Sequence, residues 1–138
     1  QKRYLSKLSG PLLDRIDLQL WIQPLKSNEL TLGVKENQTE EMRLRVVRAR
    51  EQQSIRFRST ARINSAMSSK ELREFCALSG AGQSLMEKAV ERLKLSARGY
   101  HRVLKVSRTI ADLEGSNLIL PEHLAEALSY RLNQDSMN

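Results

Sequence analysis

Two arginines in this sequence are candidate functional residues, and the first is Arg98. It falls in the first turn of a strongly amphipathic segment, SARGYHRVLKVSRTIADLEG, residues 96–115. The helix macrodipole disfavours a cation there by about 0.3–1 kcal/mol, whereas a bound anion reverses that sign. Backbone N–H groups at a helix start and one arginine together form a phosphate site, so Arg98 is a candidate phosphate ligand. Arg102 extends this face by one turn and is a weaker candidate; the alternative for both is a solvated polar face.

The second arginine is Arg15, in SGPLLDRIDLQLWI, residues 9–22. It follows a helical turn opened by Gly-Pro and precedes an alternating apolar run, so rigid elements flank it while its charge keeps it out of the core. Asp14 is placed to orient it. We therefore expect Arg15 at a surface or an interface. The alternative is a local ion pair with Asp14 or Asp17.

Most of the elements that position these residues are predicted to be helices. Apolar residues recur at three- and four-residue spacings, which predicts helices over 39–59, 69–78, 82–95, 96–115 and 121–132. Thr39, Ser69 and Ser96 are the predicted N-caps, and Ser79-Gly80 and Gly115 are predicted helix ends. Residues 59–68 lack a clean period and are predicted to form a loop or short turn.

The first 38 residues are patterned differently. Residues 2–8 favour a helix, and a short helix is expected through Asp14. From Ile16 to Ile22 the apolar residues alternate, which predicts a strand with Ile16, Leu18, Leu20 and Ile22 on its buried face. Residues 30–34 alternate weakly, as a second strand or an extended linker, and residues 24–38 are the expected domain boundary.

Composition narrows the class of protein. There is one Cys, Cys76, and two His, which argues against a disulfide framework or a zinc cage. No apolar run is long enough to span a membrane, and no secretory leader is recognisable, so a cytoplasmic protein without membrane contact is expected. The net charge of +7 fits contact with phosphate, in nucleic acid or nucleotide. The start at Gln1, without Met, suggests a fragment of a longer protein.

Three stretches carry a resemblance to a known family. RYLSKLSGPLLDRIDL, then LSARGYHRVLKVSRTIADLEG and LPEHLAEALSYR, closely resemble the C-terminal part of the magnesium-chelatase-like ComM/YifB family. These AAA+ ATPases are related to the chelatase I subunit and to MCM helicases. The resemblance covers nearly the whole chain, with its motifs in the family's order. It implies a helical AAA+ lid bundle over 36–138, preceded over 1–35 by a short helix-strand segment from the end of the ATPase core.

The resemblance also implies roles for the two arginines. In the family, the arginine of GPLLDRID is the finger that reaches the ATP of the neighbouring subunit, which implies that role for Arg15, with Asp14 supporting the interface. The start of the SARGYHR helix resembles the sensor-2 segment, whose arginine lies on the γ-phosphate of its own subunit's ATP, which implies that role for Arg98. ATP, Mg²⁺, neighbouring subunits in a hexameric ring and DNA are the implied cofactors and partners.

The chain lacks the rest of an ATPase site. None of its glycines belongs to a G-x-x-x-x-G-K-[ST] loop, and no apolar strand ends in an acidic pair for Mg²⁺. Alone it is therefore expected to be inactive in ATP hydrolysis. The expected role is to complete ATP sites in a motor that remodels DNA, as in the branch migration of recombination intermediates promoted by ComM members.

Two rival functions stay open. One is a stand-alone basic helical module that binds nucleic acid without any ATPase role, suggested by an arginine-dense helix over 39–59. The arginines of this helix lie on several of its sides, which disfavours a single face that reads a DNA groove. They are Arg43, Arg45, Arg48, Arg50, Arg56 and Arg58. The other is a subunit of a metal-insertion motor. Four further residues are expected to have packing or surface roles only: His101, His123, Cys76 and Trp21.

Overall fold

The computed structural model describes residues 15–20, 22 and 38–131. Within them, five α-helices and one 3₁₀ turn follow one another. Their bounds are Gln38–Phe57 (α1), Asn64–Ala66 (the 3₁₀ turn), Ser69–Phe75 (α2), Gly80–Leu93 (α3), Ala97–Leu113 (α4) and Pro121–Ser129 (α5). The prediction of a mainly helical chain is confirmed. None of these described helices combines the length and the apolar character that crossing a membrane requires.

Serine side chains cap three of the described helices, α2, α3 and α4. Ser96 caps α4, as predicted, and its Oγ accepts the Gly99 N–H at 3.0 Å. The predicted cap of α2, Ser69, is wrong by one residue. Ser68 is the cap because Glu71 stands three residues after it and completes a capping box, in which each side chain accepts the other residue's backbone N–H.

Ser79 and Gly80 begin a helix rather than end one. They were predicted to close α2, but that helix already ends at Phe75. The Ser79 Oγ accepts the Gly82 N–H at 3.2 Å and so caps α3. A serine near glycines can cap the start of one helix or interrupt the end of another. The sequence pattern alone therefore supports either role.

Helix α4 is the centre of the bundle. It packs against α1, α2, α5 and the 3₁₀ turn, while α3 packs on α5. A cluster of buried apolar residues comes from α2 to α5 and the loops beside them, and Phe57 of α1 packs against it. Its members are Met67, Leu72, Cys76, Met86, Val103, Leu104, Ile110, Ala111, Ile119, Leu124 and Ala127. Gly115 has a positive φ of 72° directly after α4, as expected for the residue that closes this helix.

The polar half of α4 is not all at the surface. The helical pattern of residues 96–115 places Arg108 and Asp112 on this half, but each is only 2% exposed. Arg108 donates to the carbonyl oxygen of Asn117 at 2.9 Å and to that of Ser116, and its Nε donates to Asp112 at 3.1 Å. Burial lowers the pKa of the Arg108 guanidinium, against the opposing effect of Asp112. Buried charges are tolerated only when paired in this way.

Helix α1 contacts the bundle through its second half. Ala49 and Gln53 are buried, whereas Met42 and Val46, which share their face by the helical spacing, are 60% and 50% exposed. Thr39, the predicted cap, lies within the helix because α1 already includes Gln38. The first half of α1 therefore extends beyond the α4 surface that covers the second half.

Residues 15–20 do not form the predicted strand. Among the described residues the β-pairing is a single parallel bridge between Leu78 and Ile119. The segment lies along the helices instead, and its apolar residues face outward while Gln19 is buried: Ile16, Leu18, Leu20 and Ile22 are 39%, 51%, 63% and 84% exposed. A strand needs a neighbouring ladder of N–H and C=O groups, which a helix surface does not offer.

Several predictions fall outside the described residues. They are the helix over 2–8, the short helix through Asp14, Trp21, the weak strand at 30–34, most of the boundary at 24–38, and the tail after Arg131.

Candidate functional site

A groove of about 820 Å³ separates α4 from residues 17–20. One side carries the cations Arg98, Arg102 and Lys105 together with His101. The apolar lining comes from both walls: Leu18, Leu20, Val106, Ile110 and Leu113. The four basic residues follow the helical spacing of three and four, so one face of α4 presents all of them. Asp17 and Glu126 also line the groove, but their carboxylates are bonded to Arg102 and Tyr130, so the groove suits a ligand with an anionic part and an apolar part.

Arg98 is exposed at the mouth of this groove, in the first turn of α4. No acidic residue stands in that turn, so the positive end of the helix is not compensated locally. Within the described part of the chain, its guanidinium makes no hydrogen bond or ion pair. Arg98 therefore lies at the helix start, as the sequence predicts, and no described residue engages its guanidinium donors.

Arg102 lies one turn after Arg98, and its guanidinium contacts the segment 15–20. Its Nη1 donates to the Arg15 carbonyl oxygen at 2.7 Å and pairs with the Asp17 carboxylate. The side chain is 23% exposed. This donor is already engaged within the protein, so Arg102 is less free than Arg98 to contact a phosphate.

Arg15 contacts the helical bundle through its backbone rather than through its side chain. Its carbonyl oxygen is the acceptor for Arg102, while its side chain is exposed and does not line the groove. Asp17, the alternative partner weighed for Arg15, pairs with Arg102 instead. Asp14, the predicted support, lies outside the described residues. The structure thus joins Arg15 to the α4 face without directing its guanidinium into the groove.

Sequence reasoning did not single out Lys105 and His101 as groove residues. Lys105 donates to the Ser65 carbonyl oxygen at 2.8 Å and so ties α4 to the 3₁₀ turn. His101 lines the groove, and its ring meets that of Tyr100 at a centroid distance of 6.0 Å. Their helical spacing from Arg98, three residues for His101 and seven for Lys105, was the sequence feature that could have placed them on the same face.

The arginines of α1 divide into different environments. Arg56 is a packing residue, with a 12% exposed side chain bonded to Asp112. Arg43 is paired with Glu40 at 2.6 Å on the surface. Arg45, Arg48 and Arg50 are exposed, which leaves a smaller cationic surface than the sequence count of arginines in this region indicates.

The other residues expected to be packing or surface are buried where described. His123 is 1% exposed; its Nδ1 accepts the Leu120 N–H at 3.0 Å, so its Nε2–H donates to Glu114 at 2.9 Å. Cys76 is buried in the core, and burial raises the pKa of its thiol to about 11. Within residues 15–20, 22 and 38–131, no three His, Cys, Asp or Glu side chains converge on a point where a metal ion would bind.

Comparison with known proteins gives matches along nearly the whole chain. The family model described as magnesium chelatase, subunit ChlI C-terminal, matches residues 36–131, and that of magnesium chelatase, subunit ChlI, matches residues 1–30. Competence protein ComM of Haemophilus influenzae is 44% identical over 130 residues, which is 94% of this chain and 25% of ComM. The uncharacterized protein YifB of Escherichia coli K12 is 41% identical with the same coverage.

A relative from a different bacterial group shows the same pattern. The uncharacterized protein Rv2897c of Mycobacterium tuberculosis is 38% identical over 132 residues, covering 95% of this chain and 26% of its own length. The chain thus spans about a quarter of the length of the curated relatives it matches.

Proposed function

This chain belongs to the magnesium chelatase subunit ChlI C-terminal family, and from that premise we propose that it is the helical lid of an AAA+ ATPase together with the end of its ATPase core. In this proposal the full-length protein assembles as a ring, and the lid completes its ATP sites. Hydrolysis would then be coupled to movement on DNA, as in branch migration during recombination. The match to a competence protein supports the DNA role.

The exposed guanidinium of Arg98 is the observation that carries the proposal. An arginine at an uncompensated helix start, with no partner among the described residues, is in a costly position unless an anion binds there. The γ-phosphate of ATP supplies that anion. Arg98 would sense it in cis, and the lid would close when nucleotide is present because the contact exists only in the closed state.

Arg15 would act on the ATP of the neighbouring subunit. An arginine finger neutralises charge that grows on the transferred phosphoryl group and is worth about 10³- to 10⁵-fold in turnover. It must be rigidly mounted and must project from the subunit. The backbone bond to Arg102 and the exposed side chain meet both requirements, and Asp14 remains the proposed support of this interface.

ATP and Mg²⁺ would be held largely by other parts of the full-length protein. The sequence contains no phosphate-binding loop of the G-x-x-x-x-G-K-[ST] type, and the described residues offer no cluster of metal ligands. Of the cations they offer, Arg98 is the candidate phosphate ligand, whereas Arg102 is engaged with Arg15 and Asp17. This chain would therefore orient and neutralise the triphosphate rather than coordinate its metal.

Two variants of the full-length protein test these roles. Arg15→Ala should leave ATP binding nearly intact and lower turnover by about 10³-fold or more. Arg98→Ala should weaken nucleotide-dependent lid closure and lower ATP affinity or turnover. Arg92→Ala, which removes an exposed arginine of α3 outside the groove, is the matched control. Wild-type turnover in Arg15→Ala would remove the finger role, and unchanged affinity and turnover in Arg98→Ala would remove the sensor role.

A nucleic-acid-binding module is the second candidate, favoured by the exposed Arg45, Arg48 and Arg50 of α1. Titrating duplex DNA into this chain at several salt concentrations separates the two. A lid that needs its ring binds negligibly, whereas a stand-alone module binds tightly with a steep loss of affinity as salt rises. Metal insertion into a porphyrin by the full-length protein would instead support a chelatase motor.

A further inference from the structure

The segment that carries Arg15 is held to the helical bundle by an anchor made of arginine side chains and one backbone bond. Three contacts fix main-chain atoms of this segment. Arg102 donates to the Arg15 carbonyl oxygen at 2.7 Å, Arg131 donates to the Ile16 carbonyl oxygen at 2.9 Å, and the Gln19 N–H donates to the Tyr130 carbonyl oxygen at 2.8 Å. The Asp17 carboxylate adds an ion pair to Arg102. Main-chain contacts at three points fix both the position and the direction of a segment.

All of the anchoring groups belong to one packed unit. Arg102 is in α4, and Tyr130 and Arg131 directly follow α5, which packs against α4. The arginines hold main-chain oxygens through charge-assisted hydrogen bonds, which are stronger than neutral ones. Residues 15–19 must therefore follow α4 when α4 moves relative to the rest of a larger protein.

Arg98 and Arg102 share the exposed side of α4 at a spacing of four residues. A contact made by Arg98 displaces α4 as a rigid helix, and Arg102 passes that displacement to the backbone of Arg15. We infer that Arg102 is a positioning residue, which couples nucleotide contact at Arg98 to the placement of Arg15. The inference rests on the proposed function of these two arginines, and it assigns Arg102 to the coupling instead of the phosphate.

The coupling makes the two sides of a subunit interdependent. Nucleotide bound to one subunit, through Arg98, would set the position of Arg15 at the neighbouring subunit's ATP. Breaking the anchor at Arg102 should leave nucleotide binding at Arg98 in place and misplace Arg15. Misplacement of a catalytic group by about 1 Å costs on the order of 100-fold in rate.

Steady-state hydrolysis in the full-length protein gives the first test. Arg102→Ala should lower kcat by about tenfold or more, with KM for ATP changed less than about twofold. In an Arg15→Ala background the same substitution should have no further effect, because Arg102 acts through Arg15. A raised KM, or a further loss in that background, would mean that Arg102 contacts nucleotide and would overturn the inference.

Hydrogen exchange gives a readout that a purely structural role would not change. In the wild type, a non-hydrolysable ATP analogue should slow exchange in the peptide covering residues 15–20. That nucleotide-dependent change should disappear in Arg98→Ala and in Arg102→Ala, and Arg92→Ala should keep it. If the wild type shows no such change, or if Arg102→Ala retains it in full, the coupling does not exist.

Two further measures keep the outcomes distinct. Asp17→Asn removes the ion pair by changing a side chain that is 54% exposed, so it tests the anchor even if Arg102→Ala folds poorly. Like Arg102→Ala, it should lower kcat. Arg102→Lys should recover part of the kcat that Arg102→Ala loses. If Arg15→Ala hydrolyses ATP normally, the proposed function fails. If Arg15→Ala is slow but Arg102→Ala and Asp17→Asn are not, only the coupling fails.

Discussion

Arg56 of α1 and Asp112 of α4 form a two-bond ion pair between residues 56 positions apart in the sequence. The Nη2–Oδ1 and Nη1–Oδ2 distances are 2.6 and 2.8 Å. The same carboxylate accepts from Asn64 Nδ2 at 2.8 Å and from Arg108 Nε at 3.1 Å. One side chain, 1% exposed, thus joins α1, the 3₁₀ turn and α4.

Replacing Asp112 should therefore destabilise the chain strongly. Asp112→Ala leaves the guanidinium of Arg108 buried without its carboxylate and removes the partner of Arg56. Removing one member of a buried pair typically costs about 3–5 kcal/mol. We expect the midpoint of urea unfolding, followed by circular dichroism, to fall steeply.

The matched control is the surface ion pair at the start of α1. Glu40 and Arg43 are 59% and 61% exposed in their side chains, so water screens their attraction. Glu40→Ala should leave the urea midpoint almost unchanged. Equal midpoints for Asp112→Ala and the wild type would contradict the central role of this carboxylate.

This cluster also marks what the sequence could not reveal. Periodicity correctly indicated α1 to α5, and the same helical pattern puts Val103, Leu104 and Ile110 on the apolar half of α4, where they are buried. It placed Arg108 and Asp112 on the polar half of α4, which is their true angular position. A helical pattern cannot distinguish a solvated charge from one covered by a distant arginine, because the covering residue is fixed only by tertiary packing.

The candidate site divides in the same way. The location of Arg98 at a helix start and its shared face with Arg102 followed from local spacing. The contact of Arg102 with Arg15 and Asp17 did not, because those residues are more than 80 positions away. The strand predicted from Ile16 failed for a related reason: alternation indicates a buried face but does not supply the neighbouring strand that would bury it.

The pair with Arg62 and the capping box of α2 together make the Glu71 carboxylate sensitive to acid. Hydrogen bonds from Arg62 and then from the Ser68 backbone and hydroxyl lower the pKa of Glu71 from its ordinary 4.5 to about 2. A carboxylate whose pKa is lower in the folded state stabilises the protein above its unfolded pKa, and that stabilisation is lost as pH falls from about 4.5 to 2. A side-chain NMR titration of Glu71 should give a midpoint near 2, and one near 4.5 would contradict the box.

Loss of the box should appear in the pH profile of stability. Glu71→Gln cannot ionise, so its urea midpoint should change less than that of the wild type between pH 4.5 and 2.

Ser68→Ala removes the cap and should destabilise the chain by about 1 kcal/mol at neutral pH. Ser69→Ala, one residue later, should have a much smaller effect, because Ser69 is not the cap.

Cys76 should be nearly unreactive in the folded chain. Burial raises the pKa of the thiol from 9.0 to about 11, so about one thiol in a thousand is ionised at pH 8. We expect reaction with a disulfide reagent at pH 8 to be at least about 100-fold slower than in urea. The sequence has one cysteine, so the signal belongs to Cys76. Equal rates in buffer and in urea would contradict its place in the core.

Lys94 ends α3 in a backbone conformation that suits glycine. Its φ and ψ are 49° and 45°, in the left-handed region, and its side chain is exposed. Lys94→Gly should stabilise the chain by about 0.5–1 kcal/mol because glycine adopts this conformation without a Cβ clash. Lys88→Gly, the same substitution inside α3, should instead destabilise by about 1 kcal/mol. Thermal unfolding of the two variants should therefore shift in opposite directions, and a shift of Lys94→Gly to lower temperature would show that the helix ends in a different conformation.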